Sequence, residues 1–353
     1  MIIDTMKMKL TNKTDEKCIE QGPRRSTLGF LVCVGGLDAS KGCNTIEVLD
    51  PLSPLSWENA GSIQHKRVQF GVAVMDDKLF IVGGRDGYKT LNSVECFNLN
   101  TKSWQSMPPL STHRHGVGVV LLEGPLYAIG GNDGWSFLNT VERWDSQVRS
   151  WNYVAPMNTP RSTHGVSVVG KKIMVIGGRD VSSCLRSVEA FDPNFNRWTY
   201  MAPMNKRRGG LGVAVLKNFV FAVGGLDSPS NSKAIAEAEK YDTQTDQWTI
   251  LTPQMNLARE GVSCGVLGDT IYVIGGYDGK SYLRSVECLR PFDNEPKWEF
   301  NGNLVRARAT PSVLHVTQKF SFEVDTAGTG EPDGRKDNTP SRNDSNRNPE
   351  AIL

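Results

Sequence analysis

Short apolar runs separated by polar loops follow one another along most of the chain. Runs such as GVAVM and KLFIV are apolar at consecutive positions, which is typical of strands buried on both faces. Stretches such as SVECFN and TVERWD come after a polar loop and alternate only in part, as half-exposed strands do. A tryptophan then begins a fourth short run. The pattern predicts units of four short β-strands and an all-β fold.

A set of landmarks recurs six times with a period of about 47 residues. Each unit contains a Gly-Gly pair, an Asp two residues later, a Glu, a Trp and an Arg. Periods of this length indicate a propeller, a solenoid or an array. We interpret the glycines as architecture rather than as phosphate loops, because no helix follows to offer its N-terminus. The pairs are Gly35-Gly36, Gly83-Gly84, Gly130-Gly131, Gly177-Gly178, Gly224-Gly225 and Gly275-Gly276.

The two ends of the repeat array complement each other. The first unit has no apolar run where its innermost strand should lie, whereas an extra run follows Arg308 after the last unit. We predict that Thr310 to Val316 supplies the missing strand of blade one, so that the closed ring leaves no open sheet edge. Pro311 has no N–H to donate to a neighbouring strand, so it fits as the first residue of the strand. At any later position it would disrupt the strand pairing that closes the ring.

Composition limits the class of protein. The 353 residues carry 40 basic and 38 acidic side chains, and the net charge of +2 gives no overall attraction to nucleic acid or membrane. The first residues contain no apolar run long enough for a signal peptide. Seven cysteines without a Cys-x-x-Cys pair favour a reduced, cytoplasmic location. Polar composition predicts disordered segments at 1–23 and 318–353, on either side of a propeller at 24–317.

The Gly-Gly, the VE pair, the aromatic-Asp pair and the Trp together resemble the kelch motif. The stretch from about Arg24 to Val316 is similar to the six-bladed kelch propeller of the kelch-like proteins. RVQFGVAVMDDKLFIVGGRDGYKTLNSVEC and KRRGGLGVAV resemble their neuronal and actin-associated subgroup. The sixth repeat departs from the motif, since it reads VECLRPFDNEPKW where the others have an aromatic-Asp pair.

The resemblance implies a non-catalytic protein-binding role. In that family the propeller holds the substrate of a ubiquitin ligase, while a BTB domain dimerises and binds cullin-3 and a BACK domain lies between them. About 23 residues precede the propeller here, so we expect cullin-3 recruitment only if BTB and BACK domains exist upstream. Some members bind actin, and an actin-binding scaffold associated with the cytoskeleton is therefore the alternative.

The resemblance also implies a partner-binding face built from two sets of loops. The first set, around the recurring Arg, comprises Arg67, Gln69, Arg114, His115, Arg161, Thr163, Arg208, Arg259 and Glu260. The second set, after the Gly-Gly, comprises Arg85, Tyr88, Asn132, Trp135, Arg179 and Tyr277. The first residue after Gly-Gly differs between repeats, as a surface for an asymmetric partner requires. Arg85 and Arg179 predict an acidic or carboxylate-bearing peptide on this face.

The recurring Arg has a second interpretation. It could pair with the recurring Glu of its own blade or of a neighbouring blade, in which case it supports the fold and contacts no partner. The variable residues that follow it are then the better candidates for a binding site.

An enzyme is the third class that we considered, since kelch propellers also occur in copper oxidases resembling galactose oxidase. His113 and His115 flank an Arg in one loop, and His65 and His164 occupy the corresponding loops of adjoining units. No triad, paired-carboxylate motif or Walker sequence is present. We therefore predict no catalytic residue, no metal and no cofactor. The C-terminal AIL would suit a PDZ groove, a pattern that is common by chance.

Overall fold

The computed structural model describes residues 28–228 and 233–317, and these ranges are built from strands and turns alone. The predicted disordered segments at 1–23 and 318–353 lie outside the described residues. Within the described ranges there is no apolar helix of membrane-spanning length. The strands are β1 Phe30–Gly36, β2 Cys43–Leu49, β3 Trp57–Ser62, β4 Gly71–Met75, β5 Lys78–Val82, β6 Val94–Asn98, β7 Ser103–Met107, β8 Gly118–Leu121, β9 Leu126–Ile129, β10 Val141–Asp145, β11 Ser150–Val154, β12 Gly165–Val169, β13 Lys172–Ile176, β14 Val188–Asp192, β15 Arg197–Met201, β16 Gly212–Leu216, β17 Phe219–Val223, β18 Ala238–Asp242, β19 Gln247–Ile250, β20 Ser263–Leu267, β21 Thr270–Ile274, β22 Ser285–Leu289, β23 Trp298–Asn303 and β24 Ser312–Val316.

The strands form six four-stranded antiparallel sheets, which are the blades of a six-bladed β-propeller. Five blades use four consecutive strands, with the first strand of each unit innermost. The innermost strands β4, β8, β12, β16, β20 and β24 pack against one another in ring order. The predicted all-β propeller with four strands per unit is confirmed.

Blade one is completed by the last strand of the chain, giving the order β24-β1-β2-β3. The register runs from Phe30 opposite Val316 to Val34 opposite Ser312. The predicted closure is therefore confirmed, with a shorter strand than the one expected from residue 310. Pro311 lies just before the strand begins, because it has no N–H to give to the ladder.

Each Gly-Gly pair allows the next blade to approach closely. Gly83 and Gly84 have φ of 63° and 95°, a region that side chains disfavour. The N–H of Gly84 donates to the carbonyl of Arg114 in blade three at 2.7 Å. A Cβ on Gly83 would lie 2.4 Å from that same oxygen. The same bond and the same close approach occur at the pairs 130–131, 177–178, 224–225 and 275–276, which explains why glycine recurs here.

The recurring tryptophans lie between neighbouring blades. Trp151 and Trp144 of blade three pack with Phe80 and Val82 of blade two. The indole N–H of Trp151 donates to the carbonyl of Pro108 in blade two at 3.2 Å. Trp198, Trp248 and Trp298 make the equivalent bond to the preceding blade. Burying one such side chain contributes about 1.5–3 kcal/mol.

A second series of glycines begins the innermost strands. A Cβ on Gly71, Gly118 or Gly165 would lie within 2.0–2.3 Å of a valine methyl in the next blade. The first residue of these strands must therefore be small, because the blades converge near the axis. In the sequence these glycines are the first residues of apolar runs such as GVAVM and GVSVV.

Candidate functional site

The recurring arginines are buried between chain segments. In blade four, Arg161 donates from Nη1 to the carbonyls of Gly177 at 2.8 Å and Ser187 at 3.0 Å. Its Nη2 donates to Glu189 Oε1 at 2.6 Å. Glu189 in turn accepts from the backbone N–H groups of Asn158 at 2.7 Å and Thr159 at 3.1 Å. The pair therefore joins the loop before β12 to the ends of β13 and β14.

The same Arg–Glu pairing occurs in every blade. The pairs are Arg67–Glu95, Arg114–Glu142, Arg161–Glu189, Arg208–Glu239, Arg259–Glu287 and Arg308–Glu47. Arg308–Glu47 joins the last repeat to the first and supports the closure of the ring. Burial lowers the pKa of Arg161, and the carboxylate of Glu189 opposes that shift.

The placement of these arginines corrects part of the predicted binding face. Five of the predicted partner-binding residues are at most 2% exposed, so they cannot reach a partner: Arg67, Arg114, Arg161, Arg208 and Arg259. The second interpretation of this series, pairing with the recurring Glu, is the one that the structure supports. A repeated residue serves the repeated architecture, because every blade needs the same bonds.

The residue after each Arg joins the two predicted sets of loops. It forms a pair of backbone hydrogen bonds with the first residue after the Gly-Gly of the same blade. His115 and Asn132 exchange bonds of 2.9 and 2.8 Å in this way. The pairs are Val68–Arg85, His115–Asn132, Ser162–Arg179, Gly209–Leu226, Glu260–Tyr277 and Ala309–Leu37. The two sets therefore form one face around the axis.

A chain of backbone hydrogen bonds closes the centre of this face. The residue two positions after each Arg has a positive φ between 48° and 63°. Five N–H groups of the series, from Gly116 to Thr310, donate to the carbonyl of the preceding member, as from Gly116 to Gln69 at 2.7 Å and from Gly261 to Gly210 at 2.8 Å. The series is Gln69, Gly116, Thr163, Gly210, Gly261 and Thr310. These residues form the floor between the loop face and a small axial cavity of about 110 Å³.

Two large cavities open on the loop face. We call the first the cationic cavity; its volume is about 840 Å³, and its walls include Arg85, Tyr88, Lys89, Thr90, His115, Asn132, Trp135, Phe137 and Arg179. We call the second the tyrosine cavity; its volume is about 980 Å³, and its walls include Leu37, Asp38, Cys184, Leu226, Glu260, Tyr277, Lys280, Tyr282 and Ala309. Gln69, Thr163 and Arg179 line both, so the two cavities form one cleft.

The cationic cavity has an excess of positive charge. Arg85 and Arg179 are exposed, and neither forms an ion pair with any residue of the described ranges. The Arg179 guanidinium lies 5.7 Å from the centre of the Phe137 ring, which orients it by a cation–π contact. Burial and the charge of Arg85 lower the pKa of His115, whose Nδ1 lies 2.9 Å from Thr90 Oγ1. The site is therefore complementary to an anionic group.

The recurring Asp shapes the tips of the loops. Asp86 Oδ1 accepts from the N–H groups of Tyr88 and Lys89, both at 3.0 Å. Asp133 Oδ1 accepts from the N–H of Trp135 at 2.8 Å in the same way. Such a turn leaves the side chain beyond it free, and Tyr88 and Trp135 are 98% and 95% exposed. Exposed aromatic rings beside arginines are typical of protein-binding surfaces.

The structure brings the remaining predicted residues together in this cleft. Eight of them line the cationic cavity: Gln69, Arg85, Tyr88, His115, Asn132, Trp135, Thr163 and Arg179. The other two, Glu260 and Tyr277, line the tyrosine cavity. Their role in binding a partner stays a prediction.

Sequence reasoning missed a third variable position in the cleft. The residue five positions after the first post-glycine residue bridges back to it, as Phe137 does to Asn132 and Tyr282 does to Tyr277. The corresponding residues are Thr90, Phe137, Cys184 and Tyr282. These residues differ between repeats although their distance from the Gly-Gly pair is the same. That variation was visible in the sequence and could have identified them as candidate binding residues.

The histidines do not converge on a common point. His65 Nδ1 lies 2.7 Å from Glu95 Oε1, and His164 is buried between blades. Within residues 28–228 and 233–317 no group of three or more His, Cys, Asp or Glu side chains is placed to hold a metal ion.

Comparisons with known proteins agree with this architecture. A family profile described as "KLHDC2/KLHL20/DRC7 Kelch-repeats domain" matches residues 26–225. A second, described as "Kelch motif", matches residues 207–255 and 258–291. The solved structure described as "Structure of YjhT" has a TM-score of 0.63 at 14% identity, over 78% of this chain and 99% of that chain, which supports the fold alone.

Curated relatives match shorter segments. Kelch-like protein 4 of Homo sapiens is 54% identical over 57 residues, which is 16% of this chain and 8% of the relative. Kelch-like protein 1 of Mus musculus is 49% identical over 81 residues, 22% of this chain and 11% of the relative. The matches therefore cover only a small part of these longer proteins. Together with the repeat geometry and the matched profile, they show that this chain belongs to the kelch-repeat family, as a propeller of the kelch-like type.

Proposed function

We propose that this propeller is a non-catalytic protein-interaction module that binds a segment of a partner protein across its loop face. One observation carries the proposal: Arg85 and Arg179, from blades two and four, are exposed on a single cavity and have no ion-pair partner within the described ranges. Uncompensated arginines beside aromatic rings are a common composition of interface hot spots. Tyr88 and Trp135 supply such rings at the rim.

We further propose that the bound segment is acidic. A carboxylate can accept two parallel hydrogen bonds from an arginine, which a neutral side chain cannot do as strongly. The cation–π contact with Phe137 holds the Arg179 guanidinium before binding, so less side-chain entropy is lost on binding. Asp133 offsets only part of this positive charge, because Arg85, Lys89 and Arg179 line the same cavity.

The kelch-like resemblance supports a finer proposal. In that family the propeller presents the substrate of a cullin-3 ubiquitin ligase, so the acidic segment would belong to a protein marked for ubiquitination. BTB and BACK domains would have to provide the cullin-3 contact. The proposed location is the cytoplasm. Actin binding is the alternative, since the resembling subgroup includes actin-associated proteins.

Affinity capture from cell lysate tests the proposal. The chain would be compared with a variant carrying Arg85→Ala, Arg179→Ala and Tyr277→Ala. A matched control carries Arg149→Ala, Arg197→Ala and Tyr200→Ala, which remove the same residue types from exposed positions outside the cleft. Circular dichroism would confirm that all three proteins fold. We expect partners that are retained by the control and lost by the cleft variant.

The identity of those partners separates the two roles. Actin among the partners lost by the cleft variant, together with co-sedimentation of the chain with filaments, would favour a scaffold. A low-abundance partner would favour a substrate receptor. Identical partner sets for the cleft variant and the control would contradict the assignment of the loop face.

A further inference from the structure

We infer that the cleft selects a two-part motif in one extended segment, with an acidic side chain in the cationic cavity and an apolar side chain in the tyrosine cavity. This inference rests on the proposed function, since it describes what the same face would select. It goes further because it assigns opposite preferences to the two halves of the cleft.

The tyrosine cavity offers apolar walls. The rings of Tyr277 and Tyr282 lie 5.3 Å apart, and their backbones are bridged, so the two rings form one fixed surface. Leu226 and Ala309 continue this wall on the neighbouring blades. An apolar side chain inserted between them would be removed from water on several sides, which favours its binding.

The tyrosine cavity carries charges of both signs, so it attracts an acidic residue less than the cationic cavity does. Asp38 and Glu260 line this cavity beside the aromatic wall, and their carboxylates add to the effect of burial in raising the pKa of Tyr282. Burial raises the pKa of Glu260 itself, although Arg179 opposes the shift. An acidic side chain entering here would face Asp38 and Glu260 as well as the cations of the cavity. In the cationic cavity it would face Arg85, Lys89 and Arg179, with Asp133 as the one opposing carboxylate among the lining residues.

The shape of the cleft requires a segment that crosses the face. Gln69, Thr163 and Arg179 line both cavities, so a single chain can pass from one to the other. The floor of backbone hydrogen bonds separates the cleft from the axial cavity, and that cavity is too small to hold a peptide segment. The segment therefore cannot thread through the ring. Two touching spheres of these volumes have centres about 12 Å apart, which an extended chain covers in about four residues at roughly 3.3 Å per residue.

A spacing of about four residues also suits the geometry of an extended chain, because side chains at i and i+4 point to the same side. The motif is therefore an acidic residue and an apolar residue separated by about three others, both directed into the cleft. Such a segment differs from a uniformly acidic one.

Selection from a phage-displayed library of short random peptides tests this inference on the full 353-residue chain. We expect the enriched peptides to pair Asp or Glu with Leu, Ile or Phe at a preferred spacing near four. A variant with Tyr277→Ala and Tyr282→Ala should lose the apolar preference and keep the acidic one. Glu260→Gln should admit a second acidic residue in place of the apolar one. Tyr153→Ala, an exposed tyrosine outside the cleft, is the matched control.

The outcomes separate this inference from the proposed function. Enriched peptides that are acidic but carry no apolar residue at a fixed spacing would overturn the two-part motif and leave acidic binding intact. An apolar preference unchanged in the tyrosine variant, or no enrichment at all, would also overturn it. Acidic enrichment that survives Arg85→Ala and Arg179→Ala would instead contradict the proposed acidic site.

Discussion

Arg161 and Glu189 form an ion pair with no solvent exposure on either side chain. Arg161→Met would leave the Glu189 carboxylate buried without its cation and the Gly177 carbonyl without a donor. We expect a loss of about 3–5 kcal/mol in the free energy of unfolding, as for other broken buried pairs. Urea denaturation followed by circular dichroism measures it. The exposed Arg179→Met is the control, and equal destabilisation of both variants would contradict a structural role for the buried series.

His164 occupies a position that is apolar in the other repeats, where Phe70, Val117, Leu211, Val262 and Pro311 stand. Burial and the nearby Arg161 charge lower the pKa of His164 to about 3. The unfolded chain therefore binds a proton below the ordinary value of 6.5, where the folded chain binds none. The stability linked to this group is present above pH 6.5 and decreases as the pH falls toward about 3.

His164→Leu should remove this contribution to the pH dependence. Between pH 6.5 and pH 4 we expect the variant to lose less stability than the parent chain. The slopes of their unfolding free energies against pH should differ by the equivalent of about one bound proton. Urea midpoints measured across that range give the difference. Parallel curves for the two proteins would show that His164 titrates normally in the folded state.

Sequence positions that vary between the repeats identified cleft residues correctly. Positions that are the same in every repeat did not. Arg85 and Arg179 were found because the post-glycine position varies. Arg161 was misplaced because a spacing in the sequence fixes the position of a residue on a loop, but not the direction of its side chain. Only the folded blade shows that Glu189 and the Gly177 carbonyl draw the guanidinium inward.

At the scale of strands, β24 determines whether the ring is closed. A chain ending at residue 311 lacks β24 and leaves β1 with one free edge, although Leu31 to Val34 are fully buried in the closed ring. We expect loss of a single cooperative unfolding transition and a tendency to aggregate. A chain ending at residue 317 keeps β24 and serves as the control. Urea denaturation and size-exclusion chromatography distinguish the two, and identical behaviour would show that β24 is dispensable.

The strands could be predicted because their signals are local. Consecutive apolar residues, Gly-Gly and Trp mark the blades, and the first unit's lack of an apolar run for its innermost strand revealed the missing strand. The start of β24 at Ser312 instead of residue 310 follows from Pro311 and from the positive φ of 48° at Thr310. The contact of Gly165 with Val213 in the next blade could not be read from one repeat, because it depends on how blades converge.

At the scale of the whole molecule, the net charge of +2 is too small to attract an acidic partner from a distance. Attraction must come from the local excess of positive charge in the cationic cavity, where Arg85, Lys89 and Arg179 outnumber the carboxylate of Asp133. Screening acts within about 10 Å at 0.1 M salt, so exposed charges of this kind are sensitive to ionic strength.

We therefore expect affinity for an acidic peptide to fall as salt rises, with most of that dependence lost in the Arg85→Ala and Arg179→Ala variant. The loss of one paired arginine should cost about 2 kcal/mol or more in binding at low salt. Fluorescence polarisation with a labelled peptide from the phage selection measures both quantities. The Arg149→Ala and Arg197→Ala variant keeps the face intact while removing the same charge, so it should retain the full dependence. Equal salt dependence in the two double variants would show that net charge, rather than the cationic cavity, attracts the partner.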